Sequence, residues 1–529
     1  MKELRELKFE ELTTKQKLGL IHTPLLCPYN ENTLDYVVGL IKEHALGSVW
    51  IQWSDADRER CERYIKAVKD AADYPIMIIT DAESGIGSYK IGQHNALGCT
   101  GSEAHAYAFG KATAVTLKSL GYNMVCNPVV DLKFDGGQRS FGSDKYMLTK
   151  LAAAEARGLH DGGVLTIGKH YPSGFNAKGV DSHMREGICD QTEEELIDTG
   201  LYVYLELNKE GLLDGVMPGH HRFPNIDDSA PASMSKTMLN IFRKRGFDGI
   251  MMPDALCMMG IRARYDRVEC TGIAIEAGND FVLVYDDETE FNQNAIYECY
   301  ERGIISDEAL DRAVKHVLAL HHKILLNQSP KYTSLTEEED RLARSINKDS
   351  IYAKLDEGYL ASIPRDGKYY FALMVRNEHA TGVEDGVLVD TFSNGWHFPT
   401  KITNKIKEKF PNSHVEIFYQ FPTQGQCGRI LSRSIDYDEV IFLTFSEFLA
   451  YTGKEHLTRR TLALIDAMQF TGRISTVIHY GNPKVLEEMP HVPRIIFGGV
   501  STESNLACID VLAGDIEPKG TPTYELNLK

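Results

Sequence analysis

VLTIGKHYP, residues 164–172, carries the reading that decides the fold. From Val164 to Gly168 the run is continuously apolar rather than alternating, as expected of a strand buried on both faces. It ends in Lys169 and His170, two ionisable side chains placed where a parallel strand hands over to its loop. Runs of the same kind recur in both directions. Leu18–His22, Ser48–Trp53, Ile76–Thr80 and Asn123–Asn127 precede it, and Gly215–Met217, Gly249–Met252 and Phe281–Tyr285 follow, with longer amphipathic stretches between them. Eight such units in series predict an α/β architecture, a (β/α)8 TIM-type barrel. Helix starts are legible between the strands, for example Thr192 followed by Glu193, Glu194 and Glu195, a cap with an acidic first turn.

Beyond the eighth run, residues 327–350 (NQSPKYTSLTEEEDRLARSINKDS) are polar, with a turn signal at Ser329-Pro330 and acidic residues from Glu337 to Asp340. They predict a linker that includes a helix. Alternation then resumes with strands at Tyr369–Val375, Val415–Gln420, Glu439–Phe445, Ile474–His479 and Arg494–Phe497, an open α/β sandwich with flavodoxin-like layering. The expected domains are a TIM-barrel catalytic domain over 1–326, a linker over 327–350 and a C-terminal α/β sandwich domain over 351–529.

Composition narrows the function classes. Among 529 residues, 57 Lys and Arg stand against 75 Asp and Glu, a formal charge of −18, which argues against a nucleic-acid partner. The sequence holds no run of about 18 uninterrupted apolar residues, and MKELRELKFEELTTKQ has no apolar h-region; a cytoplasmic protein without membrane association is expected. The 10 cysteines lie far apart without a C-x-x-C pair, as reduced core residues would. Gly136-Gly137 is neither a G-x-G-x-x-G nor a P-loop, so no cofactor is expected. Nothing in the sequence sets the oligomeric state.

In a parallel barrel the chemistry gathers at the C-terminal strand ends. There the chain places Asp81-Ala82-Glu83, Asn127-Pro128 leading to Asp131 and Arg139, Lys169-His170 with Asp181-Ser182-His183 closing the following loop, His220-His221, and Asp254. Each has a plainer alternative. A lone Asp after a strand often caps the next helix, and Lys169 could pair with Asp81 or Asp254 or act as a Schiff-base lysine. His220-His221 invites a metal, but no ligand is spaced to complete a site, so none is expected. Met258-Met259 reads as core.

Together these strand ends resemble glycoside hydrolase family 3, in its two-domain β-N-acetylglucosaminidase-like branch. KHYPSGFNAKGVDSH (169–183) is similar to K-H-[FS]-P-G-H-G followed by D-S-H, and GFDGIMMPDALCM (246–258) to G-F-x-G-[VI]-[VI]-x-[ST]-D-x-L-x-M. DAESG (81–85), NPVVDL (127–132), RSFGSD (139–144) and GVMPGHHRFPNIDD (215–228) resemble further family motifs in the family's order, and VLAGDIEPKGTPTYEL resembles the closing segment of two-domain members. The chain departs at Ser173 and Gly174, where the family loop has glycine and histidine, and at Ile86 and Tyr89, where it often has arginine.

The resemblance implies a retaining exo-glycosidase that hydrolyses terminal β-linked N-acetylglucosamine, with Asp254 as nucleophile. His183 suits the proton donor, because an imidazole titrates near neutral pH, and Asp181 could orient it. Asp81, Arg139, Lys169 and His170 would bind the glycone of a GlcNAc-containing carbohydrate. A glycoside phosphorylase remains open, because an imidazole in place of a carboxylate leaves room for phosphate. So do a β-glucosidase or β-xylosidase with its acid elsewhere and a sugar-binding relic.

Overall fold

The computed structural model describes residues 4–26, 32–55, 57–132, 137, 139–173, 180–375, 382–384, 387–389, 399–447 and 456–528. Contacts divide the chain into two units interleaved in sequence. One comprises Met1–Tyr89, Glu103–Lys133 and Leu148–Ala343, the other Lys90–Ser102, Phe134–Met147 and Arg344–Lys529. The two short excursions at 90–102 and 134–147 are a property of tertiary packing. Within the second unit they are tied down: Cys99 belongs to its core, Asn95 donates to Thr523 Oγ1 at 2.7 Å, and Tyr524 donates to the Gly137 carbonyl at 2.9 Å.

The first unit is built on a curled parallel sheet, β1 (Ser48–Trp50), β2 (Met77–Thr80), β3 (Met124–Val125), β4 (Leu165–Tyr171), β5 (Gly215–Pro218) and β6 (Ile250–Met251), in that spatial order. Two short segments complete the ring. Leu25 bridges to Trp50, His22 bridges to Val282, and the Asp280 amide donates to the Met251 carbonyl at 2.7 Å. Eight positions are therefore occupied, as a TIM-type barrel requires, though the first and last are held by isolated bridges rather than strands.

The expected strand at Leu18–His22 is corrected to a helix, Thr14–Leu20. Its start is fixed by a capping box in which Thr13 and Gln16 satisfy each other's amides, and the strand position slides on to His22 and Leu25. Along the strands, alternate residues fall into different cores. Met77, Ile79, Leu165 and Ile167 join one cluster, while Ile76, Ile78, Val125 and Val164 join another. That double burial is why the runs are continuously apolar.

The expected linker contains the helix Glu337–Asp349, and its first turns are docked: Lys111 pairs with Glu339 at 2.8 Å.

The second unit is an open sheet of β7 (Tyr352–Leu355), β8 (Tyr369–Val375), β9 (His414–Tyr419), β10 (Glu439–Ser446), β11 (Ile474–Gly481) and β12 (Arg494–Gly498), ordered β9-β8-β10-β11-β12-β7. The strands expected from the sequence are parallel, and β7 is an additional antiparallel edge strand on β12. Starting at β8, the parallel strands lie second, first, third, fourth and fifth, the doubly wound order.

No helix among the described residues is long and apolar enough to cross a membrane. Nine cysteines are free thiols, seven of them buried; Cys27 lies outside the described residues.

Candidate active site

β4 ends at the residues that opened the sequence reading. Lys169 is 2% exposed, and its ammonium reaches Asp81 at 2.5 Å and Glu83 at 2.7 Å, both in the loop that follows β2. An ammonium between two carboxylates suits charge pairing rather than the neutral amine that a Schiff base needs. The neighbouring His170 donates its backbone N–H to Asp131 Oδ1 at 3.0 Å, and its ring Nδ1 meets Asp131 Oδ2 at 2.9 Å. An ionised carboxylate only accepts, so Nδ1 carries the proton and Nε2 is left to face Asp254 Oδ2, 3.9 Å away. The Lys169-His170 and Tyr171-Pro172 peptide bonds are cis.

Asp254 follows β6. Its amide donates to the Pro218 carbonyl at 2.9 Å, and its Oδ1 accepts the Ala255 amide at 2.8 Å. Burial alone would raise its pKa, but His170, His220 and His183 around it reverse the sign and hold the carboxyl at about 2. A carboxylate held ionised in this way can attack an electrophilic carbon or stabilise a cation.

His183 closes the loop after β4. Its Nδ1 is 2.7 Å from Asp181 Oδ1, which also accepts the His183 amide at 2.9 Å. The Asp181 side chain is 1% exposed and that of His183 22%. The buried carboxylate thus fixes the ring and its tautomer, with Nδ1 turned toward Asp181.

Three residues gain a place that the sequence did not give them. Asp131 orients His170 and Glu83 completes the Lys169 cage, although each was visible only as part of a strand-end motif. His220 is 1% exposed; its Nε2 donates to the Ala255 carbonyl at 3.1 Å and its Nδ1 accepts from the Ser233 hydroxyl at 2.8 Å. Burial lowers its pKa, so it serves as a neutral brace behind the Asp254-Ala255 turn. No group of three or more metal-ligating side chains occurs among the described residues. Met258 is core, but Met259 is corrected from core to 44% exposed, because it opens a short helix at the surface.

The family departures also have structural partners. Ile86 is 2% exposed in a core cluster, and the Tyr89 hydroxyl donates to Asp340 at 2.7 Å. Ser173 stands at φ +78°, where glycine is favoured, and its hydroxyl accepts the Leu132 amide at 2.9 Å. Gly174 lies outside the described residues. Arg139 lies in the segment grouped with the second unit; the other expected site residues, Asp81, Lys169, His170, Asp181, His183 and Asp254, belong to the first.

A parallel α/β barrel that brings an ionised carboxylate, an aspartate-held imidazole and a lysine–carboxylate cage to its strand ends defines a barrel enzyme equipped for acid–base and nucleophilic chemistry. Residues 7–320 match the family model for the glycosyl hydrolase family 3 N terminal domain, and the chain belongs to this family of glycoside hydrolases. A beta-hexosaminidase of Tolumonas auensis is 32% identical over 240 residues, 43% of this chain and 71% of that protein. A glycoside hydrolase family 3 beta-N-acetylglucosaminidase from Paenibacillus sp. str. FPU-7 superposes with a TM-score of 0.80 at 23% identity, covering 98% of this chain and 100% of that one. A beta-glucoside phosphorylase, BglX, bound to 2FGlc superposes with a TM-score of 0.81 at 21% identity, covering 98% and 95%.

Proposed function

We propose that the protein is a retaining exo-glycosidase that hydrolyses terminal β-linked N-acetylglucosamine. The observation that carries this reading is the pairing of Asp254, whose carboxyl the surrounding histidines hold at about 2, with an imidazole, His183, whose tautomer a buried Asp181 holds. Asp254 attacks the anomeric carbon and forms a covalent glycosyl-enzyme. His183, as imidazolium, protonates the departing oxygen through Nε2; as neutral imidazole it then takes the proton of the incoming water, which cleaves the ester and restores the β configuration. Asp81, Lys169 and His170 bind the glycone hydroxyls, and Arg139 is proposed with them from its RSFGSD motif. The sugar follows from the motifs and from the beta-hexosaminidase relative. A cytoplasmic setting suits the free thiols.

Release of p-nitrophenol from β-GlcNAc and β-glucose glycosides, with and without phosphate, tests the assignment. The β-GlcNAc glycoside is expected to be cleaved without phosphate, Asp254→Ala to lose roughly 10⁴-fold or more in kcat, and His183→Ala about 10²- to 10⁴-fold. Full activity of His183→Ala, or cleavage of the glucoside alone, overturns it. Strict dependence on phosphate with release of sugar 1-phosphate makes the enzyme a phosphorylase.

A further inference from the structure

At the opposite end of the barrel strands from Asp81 lies a cavity of about 300 Å³ with no place in the reaction above. Its walls come from residues just ahead of two strands, Pro75 and Ile76 before β2 and Tyr122 before β3, and from Ile324 near the end of the helix Asp307–Leu326. The surround is mostly apolar, since the tyrosine hydroxyls are engaged elsewhere: Tyr74 donates to the Leu46 carbonyl and Tyr122 to that of Ile51.

Two lysines interrupt this lining, Lys69 and Lys118. The Lys118 ammonium donates to the Asn327 carbonyl at 2.9 Å, leaving two N–H donors without a partner among the described residues. Neither lysine has a carboxylate within ion-pair distance among those residues, although the chain carries 75 acidic groups against 57 basic ones. The two cations also feel each other: burial and then the Lys69 charge lower the Lys118 pKa. Gly121, at φ +113°, lines the same wall, and a Cβ there would crowd Ile65 Cγ2 at 2.7 Å and the Lys69 stem at 3.3 Å. Lysines near helix C-termini compensate the exposed carbonyls in part. That role does not require two of them in one apolar concavity.

We propose that this cavity binds a small organic monoanion with an apolar body, a carboxylate of the aryl or branched-alkyl kind. Its carboxylate bridges Lys118 and Lys69, and its body lies against Ile76, Ile78, Tyr122 and Ile324. The volume is at the lower end for small-molecule sites, which fits a ligand of benzoate size. The site is independent of the glycosidase reading.

Titration calorimetry of the full chain with benzoate tests it, with benzamide as neutral isostere and inorganic phosphate as an anion without an apolar body. Benzoate is expected to bind saturably with one site, at least fivefold tighter than either comparison. Lys118→Met, which keeps the alkyl stem, should weaken it about tenfold. Lys69→Met changes an exposed side chain and should weaken binding by a smaller factor even if the Lys118 variant does not fold. Absence of saturable benzoate binding, equal binding of benzamide or phosphate, or unchanged affinity in a folded lysine variant overturns the proposal.

Discussion

Asp181 reaches His183 at 2.7 Å, and at the scale of single residues this contact is the most exposed to test. Asp181→Asn keeps the shape but presents an amide that can donate to Nδ1, which frees the wrong tautomer for proton transfer. The expected loss in kcat/KM is about 10²- to 10⁴-fold with an unchanged fold, read from p-nitrophenol release and circular dichroism. A loss under threefold removes Asp181 from the mechanism. Asp254 makes a separate prediction. Its carboxyl is held at about 2 and is therefore ionised at every pH above that, so the acid limb of the kcat/KM profile belongs to another group. Asp131→Asn should shift that profile or KM through His170, whereas a conservative change at an exposed carboxylate should not. Legibility at this scale follows chain locality. Asp254 could be read because it stands directly after an apolar run, and Asp181 with His183 because two residues separate them. Asp131 with His170, Glu83 with Lys169 and His220 with Ala255 join different strands, and no periodicity in one sequence encodes which strand ends meet.

Among the elements, the helices Glu103–Leu120 and Lys145–Asp161 depend on glycine where they cross. A Cβ on Gly110 would stand 2.1 Å from the Glu155 carbonyl oxygen, and one on Gly158 would stand 2.2 Å from that of Tyr107. Backbone cannot yield as a side chain tip does, so Gly110→Ala should cost about 1–3 kcal/mol in urea unfolding. It should also disturb Asn127, which donates to Glu155 at 2.9 Å. Gly39, inside the helix Asn32–Lys42, has nothing within 4 Å of the same position. Gly39→Ala should therefore stabilise by about 0.4–1 kcal/mol; equal effects of the two alanines would refute the close-crossing argument. Element type was legible wherever burial on both faces made a run continuous, as in β2, β4, β8, β10 and β11. It misled at Leu18–His22, where a short apolar run is ambiguous and the decisive signal was the Thr13-x-x-Gln16 capping box. β7 escaped because only Tyr352 of its residues is fully buried, as fits an edge strand.

For the whole molecule, the fold class of each sheet was legible and the interleaving of the units was not, since segments 90–102 and 134–147 carry no composition that distinguishes them from ordinary barrel loops. What the units share is a set of histidines sealed from water. His22 and His321 lie in the first unit and His479 in the second, each fully or almost fully buried, and burial lowers each from 6.5 to about 4. Their bonds suit the neutral ring: His321 donates to the Gly47 carbonyl at 2.8 Å, and His479 takes the Thr444 hydroxyl at 2.9 Å while facing the Asn482 carbonyl at 3.0 Å. Between 6.5 and about 4 the unfolded chain binds protons that the folded chain refuses, so stability is complete above 6.5, falls as the pH drops through that window and levels below about 4. The separation corresponds to roughly 3 kcal/mol per group at its limit. Urea unfolding across this window should show midpoints of both units moving down with acidification. His479→Gln, an uncharged side chain able to bond on both sides, should blunt the response of the second unit and leave that of the first. A midpoint for the second unit that moves as much in the variant as in the parent would place its acid sensitivity on the surface, where −18 of net charge is neutralised as the carboxylates protonate.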